Sequence, residues 1–225
     1  MRQFGICTAI VLFTAVAAAC GDAAPPPAAA APAAAATTAA SFPDAWFFYG
    51  EKRPAALRNL EGKPAPKLVA ETWIGDAVDP AEHRGKVIIL DFWGTWCPPC
   101  RKAIPKNIEL VEKFKDQDLV FIAVHDARRG WDAAPGMAKQ TGMNYPVALD
   151  KTGENGAGIS TKAFGVSFWP TYIAIDRRGV VRAAGLQPGR VEQVVTALLA
   201  EPKPEPEPES EATGDDAEPG AGSEG

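Results

Sequence analysis

Between residues 85 and 199 the chain switches repeatedly between two hydrophobic periods. Residues 86–92 (Lys-Val-Ile-Ile-Leu-Asp-Phe) form an apolar run of strand length, the signature of a strand covered on both faces. Ile104, Ile108, Val111 and Phe114 then recur at helical spacing, which predicts a change from strand to helix near residue 97. Residues 119–124 predict a second buried strand, 133–141 a helix, and 145–149 a short extended piece ended by Asp150-Lys151-Thr152-Gly153. The runs 171–175 and 180–184 flank Asp176-Arg177-Arg178-Gly179 and predict a hairpin. Val191, Val194, Val195, Leu198 and Leu199 make the stripe of a closing helix. Alternating strands and helices predict an α/β class. Residues 41–83 are less regular; within them Trp46-Phe47-Phe48-Tyr49 predicts apolar packing onto the domain, or a partner-facing patch.

Composition separates the ends from this core. Residues 1–19 carry one cation, Arg2, and then an uncharged run from Phe4, short for a bilayer span, so a signal peptide is expected. The small residues before Cys20 resemble a bacterial lipobox, in which that cysteine is acylated; a cleaved secretory peptide or an uncleaved anchor are the alternatives. Residues 20–40, mostly Ala and Pro, are expected to act as a tether, 41–61 as an N-terminal extension and 62–200 as the folded domain. Residues 201–225 hold nine acidic residues, five Pro and one Lys, a composition expected to stay disordered. The net charge of −5 therefore belongs to the tail, about −8, and leaves residues 1–200 near +3. That balance argues against a nucleic-acid partner, and the hydropathy excludes a multi-pass membrane protein.

Trp96-Cys97-Pro98-Pro99-Cys100 falls at the predicted strand-to-helix junction. Unpaired amides at a helix N-terminus stabilise a thiolate, the nucleophile of disulfide exchange, so Cys97 is the candidate attacking thiol. Cys100, one turn on, is the candidate resolving thiol. Pro98 and Pro99 suit a first helical turn, where missing N–H groups cost nothing. A zinc site would need two more ligands, yet the other cysteines are Cys7 and Cys20 and the only histidines are His83 and His125. A purely structural disulfide would gain little from closing so short a loop. A redox dithiol is the favoured reading.

With Gly62-Lys63-Pro64-Ala65-Pro66, the run from Asp91 to Arg101 around the dithiol, Pro105, Phe164-Gly165-Val166 and Trp169-Pro170-Thr171, the chain resembles the thioredoxin superfamily. Within it, the resemblance is to the TlpA/ResA-like extracytoplasmic thiol-disulfide oxidoreductases. It covers roughly residues 62–199 and implies a thioredoxin fold, a central mixed β-sheet flanked by helices. It also implies a cis bond before Pro170, beside the dithiol, with substrate lying along Trp169 and Pro170. Trp96, Pro98, Pro99 and, more weakly, Gly185 complete the substrate-binding set that the resemblance suggests.

Resolution of a mixed disulfide requires Cys100 to lose its proton. Asp91, six residues before Cys97 in an otherwise apolar run, is the candidate acceptor, because burial raises a carboxyl pKa toward the working range. ResA-like proteins more often have an amide there and a Glu three residues after the second cysteine, where this chain has Ala103. His125 is expected as a loop histidine near the site edge, and Arg128-Arg129 as solvated surface. The expected activity is reduction of disulfides in extracytoplasmic proteins by a lipid-anchored monomer, with no cofactor beyond the Cys97–Cys100 couple and a membrane thiol protein as reductant. Cytochrome c maturation is one pathway of that kind. A redox-inert binding module and a dithiol copper carrier are the alternatives.

Overall fold

The computed structural model describes residues 41–204. Cys7, Cys20 and the segments read above as leader and tether lie outside the described residues, as does all but the start of the acidic tail. Six strands, β1 (Ala70–Ile74), β2 (Val87–Trp93), β3 (Leu119–His125), β4 (Val147–Asp150), β5 (Thr171–Ile175) and β6 (Val181–Leu186), form one mixed sheet in the order β1-β4-β3-β2-β5-β6. The helices are α1 (Ala55–Arg58), α2 (Pro98–Lys113), α3 (Ala134–Thr141), α4 (Ile159–Ala163) and α5 (Val191–Ala200).

The seven residues of β2 are all buried, and their alternation feeds two cores. Val87, Ile89 and Trp93 pack with Ile104 and Leu110 of α2 and with Val191, Val194 and Leu198 of α5. Ile88, Leu90 and Phe92 enter the opposite layer with Leu57 of α1 and Phe164 behind α4. This two-sided burial explains why the strand reads as a continuous apolar run. Asp91 shares the parity of Ile89 and Trp93 and therefore faces α2.

β3 runs parallel to β2 from Val87↔Leu119 to Trp93↔His125, so the loops that follow both strands emerge at the same pole. β5 lies antiparallel on the other side of β2, with Phe92 opposite Thr171, which brings residue 170 to that pole as well. The α/β prediction and the thioredoxin arrangement of mixed sheet and flanking helices both hold.

Three elements of the less patterned regions carry no clear period: β1, α1 and α4. β1 is an edge strand, paired antiparallel only with β4, and its centre is exposed, so no apolar alternation marks it. The aromatic run at 46–49 does pack onto the domain. Phe47 is buried and bridges Leu186, and the Phe48 N–H donates to the Gly185 carbonyl (3.0 Å). Arg53 lies over the Phe47 ring (3.7 Å) and donates to Glu61 (2.7 Å) and to the Ala184 carbonyl (2.8 Å). The segment thus covers the β6 edge, which would otherwise offer unpaired backbone groups.

Candidate active site

Cys97 is the N-cap of α2, and its Sγ accepts from the Cys100 N–H (3.3 Å). Pro98 and Pro99 begin the helix on its exposed side, while both cysteines are buried. The two sulfurs are bonded, with a Cα–Cα separation of 5.3 Å. Once the bond is reduced, the Cys100 N–H, the one first-turn amide aimed at Cys97 Sγ because Pro98 and Pro99 carry none, favours the Cys97 thiolate together with the helix dipole. Arg101 donates its N–H to the Cys97 carbonyl (3.1 Å), continuing the helix from the cap.

The Trp169–Pro170 peptide is cis. Trp96 and Trp169 both pack against the cluster that contains the two sulfurs, and their rings meet edge to face at 5.5 Å. Trp96 lies over Gly94, where a Cβ would come within 2.6 Å of the indole nitrogen, so only glycine leaves that space. The structure therefore brings Trp96, Cys97, Cys100 and Trp169 into one cluster at the pole of the sheet, with Pro170 adjoining through β5. Gly185 stands apart. It is buried beneath Leu57 and Arg53, has φ +90°, and its carbonyl is occupied by Phe48. A substrate-facing role does not fit that position, because the N-terminal segment fills the space in front of it.

Asp91 is 4% exposed beneath α2. Its Oδ2 accepts from Asn107 Nδ2 (2.9 Å), and the Tyr172 hydroxyl donates to Asn107 Oδ1 (3.1 Å). Oδ1 of Asp91 has no hydrogen-bond partner among the described residues. Burial pushes the Asp91 pKa up to about 7, against the smaller lowering by the Tyr172 and Asn107 hydrogen bonds. Burial also holds the Tyr172 phenol protonated, well above its ordinary range. Asn107 and Tyr172 escaped the sequence reading. Asn107 carried a faint signal, being a polar residue at the same helical spacing as the buried Cys100, Ile104 and Leu110.

His125 is not a loop residue. It ends β3 with no exposed surface. Its Nδ1 donates to the Asp126 carbonyl (2.9 Å), which leaves Nε2 to accept from the Thr95 N–H (3.0 Å). Desolvation lowers its pKa, against the raising effect of the Asp126 backbone and charge, so the neutral ring is favoured. Arg128 and Arg129 are not merely solvated either. Each guanidinium sits over one of the two tryptophans, Arg128 at 5.1 Å from the Trp169 ring centroid and Arg129 at 4.4 Å from that of Trp96.

The Redoxin family matches residues 60–199, the whole of this architecture from just after α1 to near the end of α5. The chain belongs to the Redoxin family. It is a TlpA/ResA-like member of the thioredoxin superfamily. Its relatives include the thiol-disulfide oxidoreductase ResA of Bacillus thuringiensis subsp. konkukian, 38% identical over 53% of this chain and 66% of that one, just under two thirds of the relative's length. The ResA of Bacillus subtilis is 32% identical over 63% of this chain and 70% of its own. A solved thiol-disulfide isomerase from Corynebacterium glutamicum shares the fold, with a TM-score of 0.55 at 21% identity over 61% of this chain and 98% of that one. The ResA relatives are named thiol-disulfide oxidoreductases, and in this chain the Cys97 and Cys100 sulfurs are bonded.

Proposed function

We propose that the protein is a thiol-disulfide oxidoreductase that reduces disulfides in extracytoplasmic client proteins, held at the cell envelope through a lipid on Cys20. The observation that carries this reading is the bonded pair at the mouth of α2, with a carboxyl group of near-neutral pKa beneath the same helix. The Cys97 thiolate attacks a client disulfide, breaking that bond and releasing one client sulfur as a thiolate. Cys100 then passes its proton to Asp91, at the unpartnered Oδ1, and attacks Cys97 Sγ. This forms the Cys97–Cys100 bond, releases the second client sulfur and completes the transfer of two electrons to the client. The cis Pro170 and Trp169 line the path of the extended client segment, and Pro98 and Pro99 border it.

A membrane dithiol protein, in this reading, re-reduces the pair, and reduction of haem-attachment cysteines in cytochrome c maturation is one such use. The test is turnover of a protein disulfide by the purified full chain with a thiol reductant. Wild type is expected to accelerate reduction, and Cys97→Ser to abolish it. Cys100→Ser is expected to accumulate mixed disulfides. Wild type no faster than the reductant alone would overturn the reading.

A further inference from the structure

The loop after β3 is locked to the dithiol loop. Thr95 donates its N–H to His125 and its hydroxyl to the Gly130 carbonyl (2.7 Å), and the Asp126 N–H donates to the Trp93 carbonyl (2.9 Å). Gly130 has φ +87° and packs so closely on Thr95 that a side chain there would collide. The loop that carries the two arginines is therefore fixed against the dithiol loop before any client arrives, with their guanidiniums over Trp169 and Trp96. Their states differ. Arg128 is neutralised by the buried Asp126 carboxylate (3.1 Å). Arg129 is exposed and has no hydrogen bond or ion pair among the described residues; its guanidinium rests on the ring of Trp96, which directly precedes Cys97. A guanidinium stacked by its face keeps its edge donors free for a carboxylate.

Arg101 and Lys102, exposed in the opening turns of α2, add charge of the same sign. Helix stability does not explain them, because cations are unfavourable near a helix N-terminus, and no acidic residue occupies the first turn. The exposed Asp132, beyond Gly130, is the nearest carboxylate in sequence after the arginine pair.

We propose that Trp96 and Arg129 form a recognition lip that selects client segments carrying a carboxylate next to the reacting cysteine. The inference rests on the oxidoreductase reading and names the client class within it. The described start of the acidic tail is tied down at the far end of the sheet from this lip. Arg177 donates to the Leu199 carbonyl (3.0 Å) and Lys203 pairs with Asp118 (2.7 Å). Both contacts lie at the end of the sheet where β2 and β3 begin, whereas Cys97 follows the end of β2, about 20 Å of strand away.

The experiment uses three synthetic disulfide peptides that differ only in the residues flanking the cysteine, Glu, Gln or Lys. The second-order rate of oxidation of the reduced full chain is measured at low and high salt. The Glu peptide is expected to react about fivefold faster than the Gln peptide at low salt, the upper range for one exposed ion pair, and the Lys peptide slower than both. Salt should compress the differences. Arg129→Gln is expected to bring the Glu-to-Gln ratio close to one. Equal rates for Glu and Gln in wild type, or an unchanged ratio in Arg129→Gln, overturn the lip while the oxidoreductase stands. If none of the peptides oxidises the chain, the oxidoreductase reading falls and the inference with it.

Discussion

A buried carboxyl group that titrates near pH 7 leaves two separable marks. In the proposed turnover Asp91 can take the Cys100 proton only as the carboxylate, so the resolving step is expected to accelerate as pH rises through about 7. Asp91→Asn is expected to flatten that rise and slow resolution by about 10²-fold or more at pH 7.5, read by single-turnover release of client thiol. In stability the sign is opposite. The folded pKa lies above the ordinary 3.8, so the native state holds the proton more tightly than the unfolded chain. That contribution is complete below about pH 4 and is lost as pH rises through about 7. Asp91→Asn is therefore expected to gain stability relative to wild type as pH goes from 5 to 8, by up to a few kcal/mol. A constant difference between the two proteins across that range would remove the raised pKa from the account. Asn107→Ala deletes the Asn107 donor to Oδ2, one of the two side-chain hydrogen bonds that lower the Asp91 pKa, and is expected to move the turnover midpoint upward.

Two junctions between elements invite tests of the same kind. His125 joins β3 to the loop before Cys97 and must be neutral to accept from Thr95. Its folded pKa is lowered, so its contribution is present above the unfolded value near 6.5 and is lost as pH falls through the folded one. His125→Phe leaves a buried N–H unpaired and is expected to cost about 1–3 kcal/mol. The protection factor of the Thr95 amide, its exchange rate relative to the unstructured rate at the same pH, should fall in the variant and, for wild type, in acid. At the other edge, Arg53→Ala removes the buried partner of Glu61 and the cation over Phe47, and is expected to cost about 3 kcal/mol. Limited proteolysis should then cut within residues 41–61. The legibility of these elements follows from how each is buried. β2, α2 and β3 announce themselves because two-sided burial writes an unbroken apolar run and one-sided burial a helical stripe. β1 is hidden because an exposed edge strand needs no alternation. Asp91 stood out as a lone acid among apolar neighbours, but its partner Tyr172 lies 65 residues from Asn107 and meets it only through the β2–β5 pairing. His125 was misread because the polar residues after it resemble a loop, while burial at a strand end depends on tertiary packing.

For the molecule as a whole, the direction of electron flow is a difference in stability between two covalent forms. Each 30 mV of potential in this two-electron couple corresponds to about 1.4 kcal/mol. The Cys100 N–H at the mouth of α2 and the Arg129 guanidinium on Trp96 favour the reduced thiolate and push the couple toward oxidant. The Asp91 charge, present above about pH 7, opposes a second negative charge beneath α2 and pushes the other way. Strong oxidants of this fold, near −120 mV (about), owe that value to a stabilised reduced form, whereas thioredoxin lies at about −270 mV. A reductase built on this site is therefore expected to be more stable oxidised than reduced. Thermal unfolding of the full chain in both forms reads the sign directly. At a domain of this size 1 kcal/mol moves the midpoint by about 2–4 °C, so a gap of a few kcal/mol is easily resolved. Asp91→Asn should narrow the gap at pH 8 and leave it nearly unchanged at pH 5, where the carboxyl is already neutral. A reduced form more stable than the oxidised one would mark the protein as an oxidant and reverse the proposed direction, with the exchange chemistry of Cys97 and Cys100 intact.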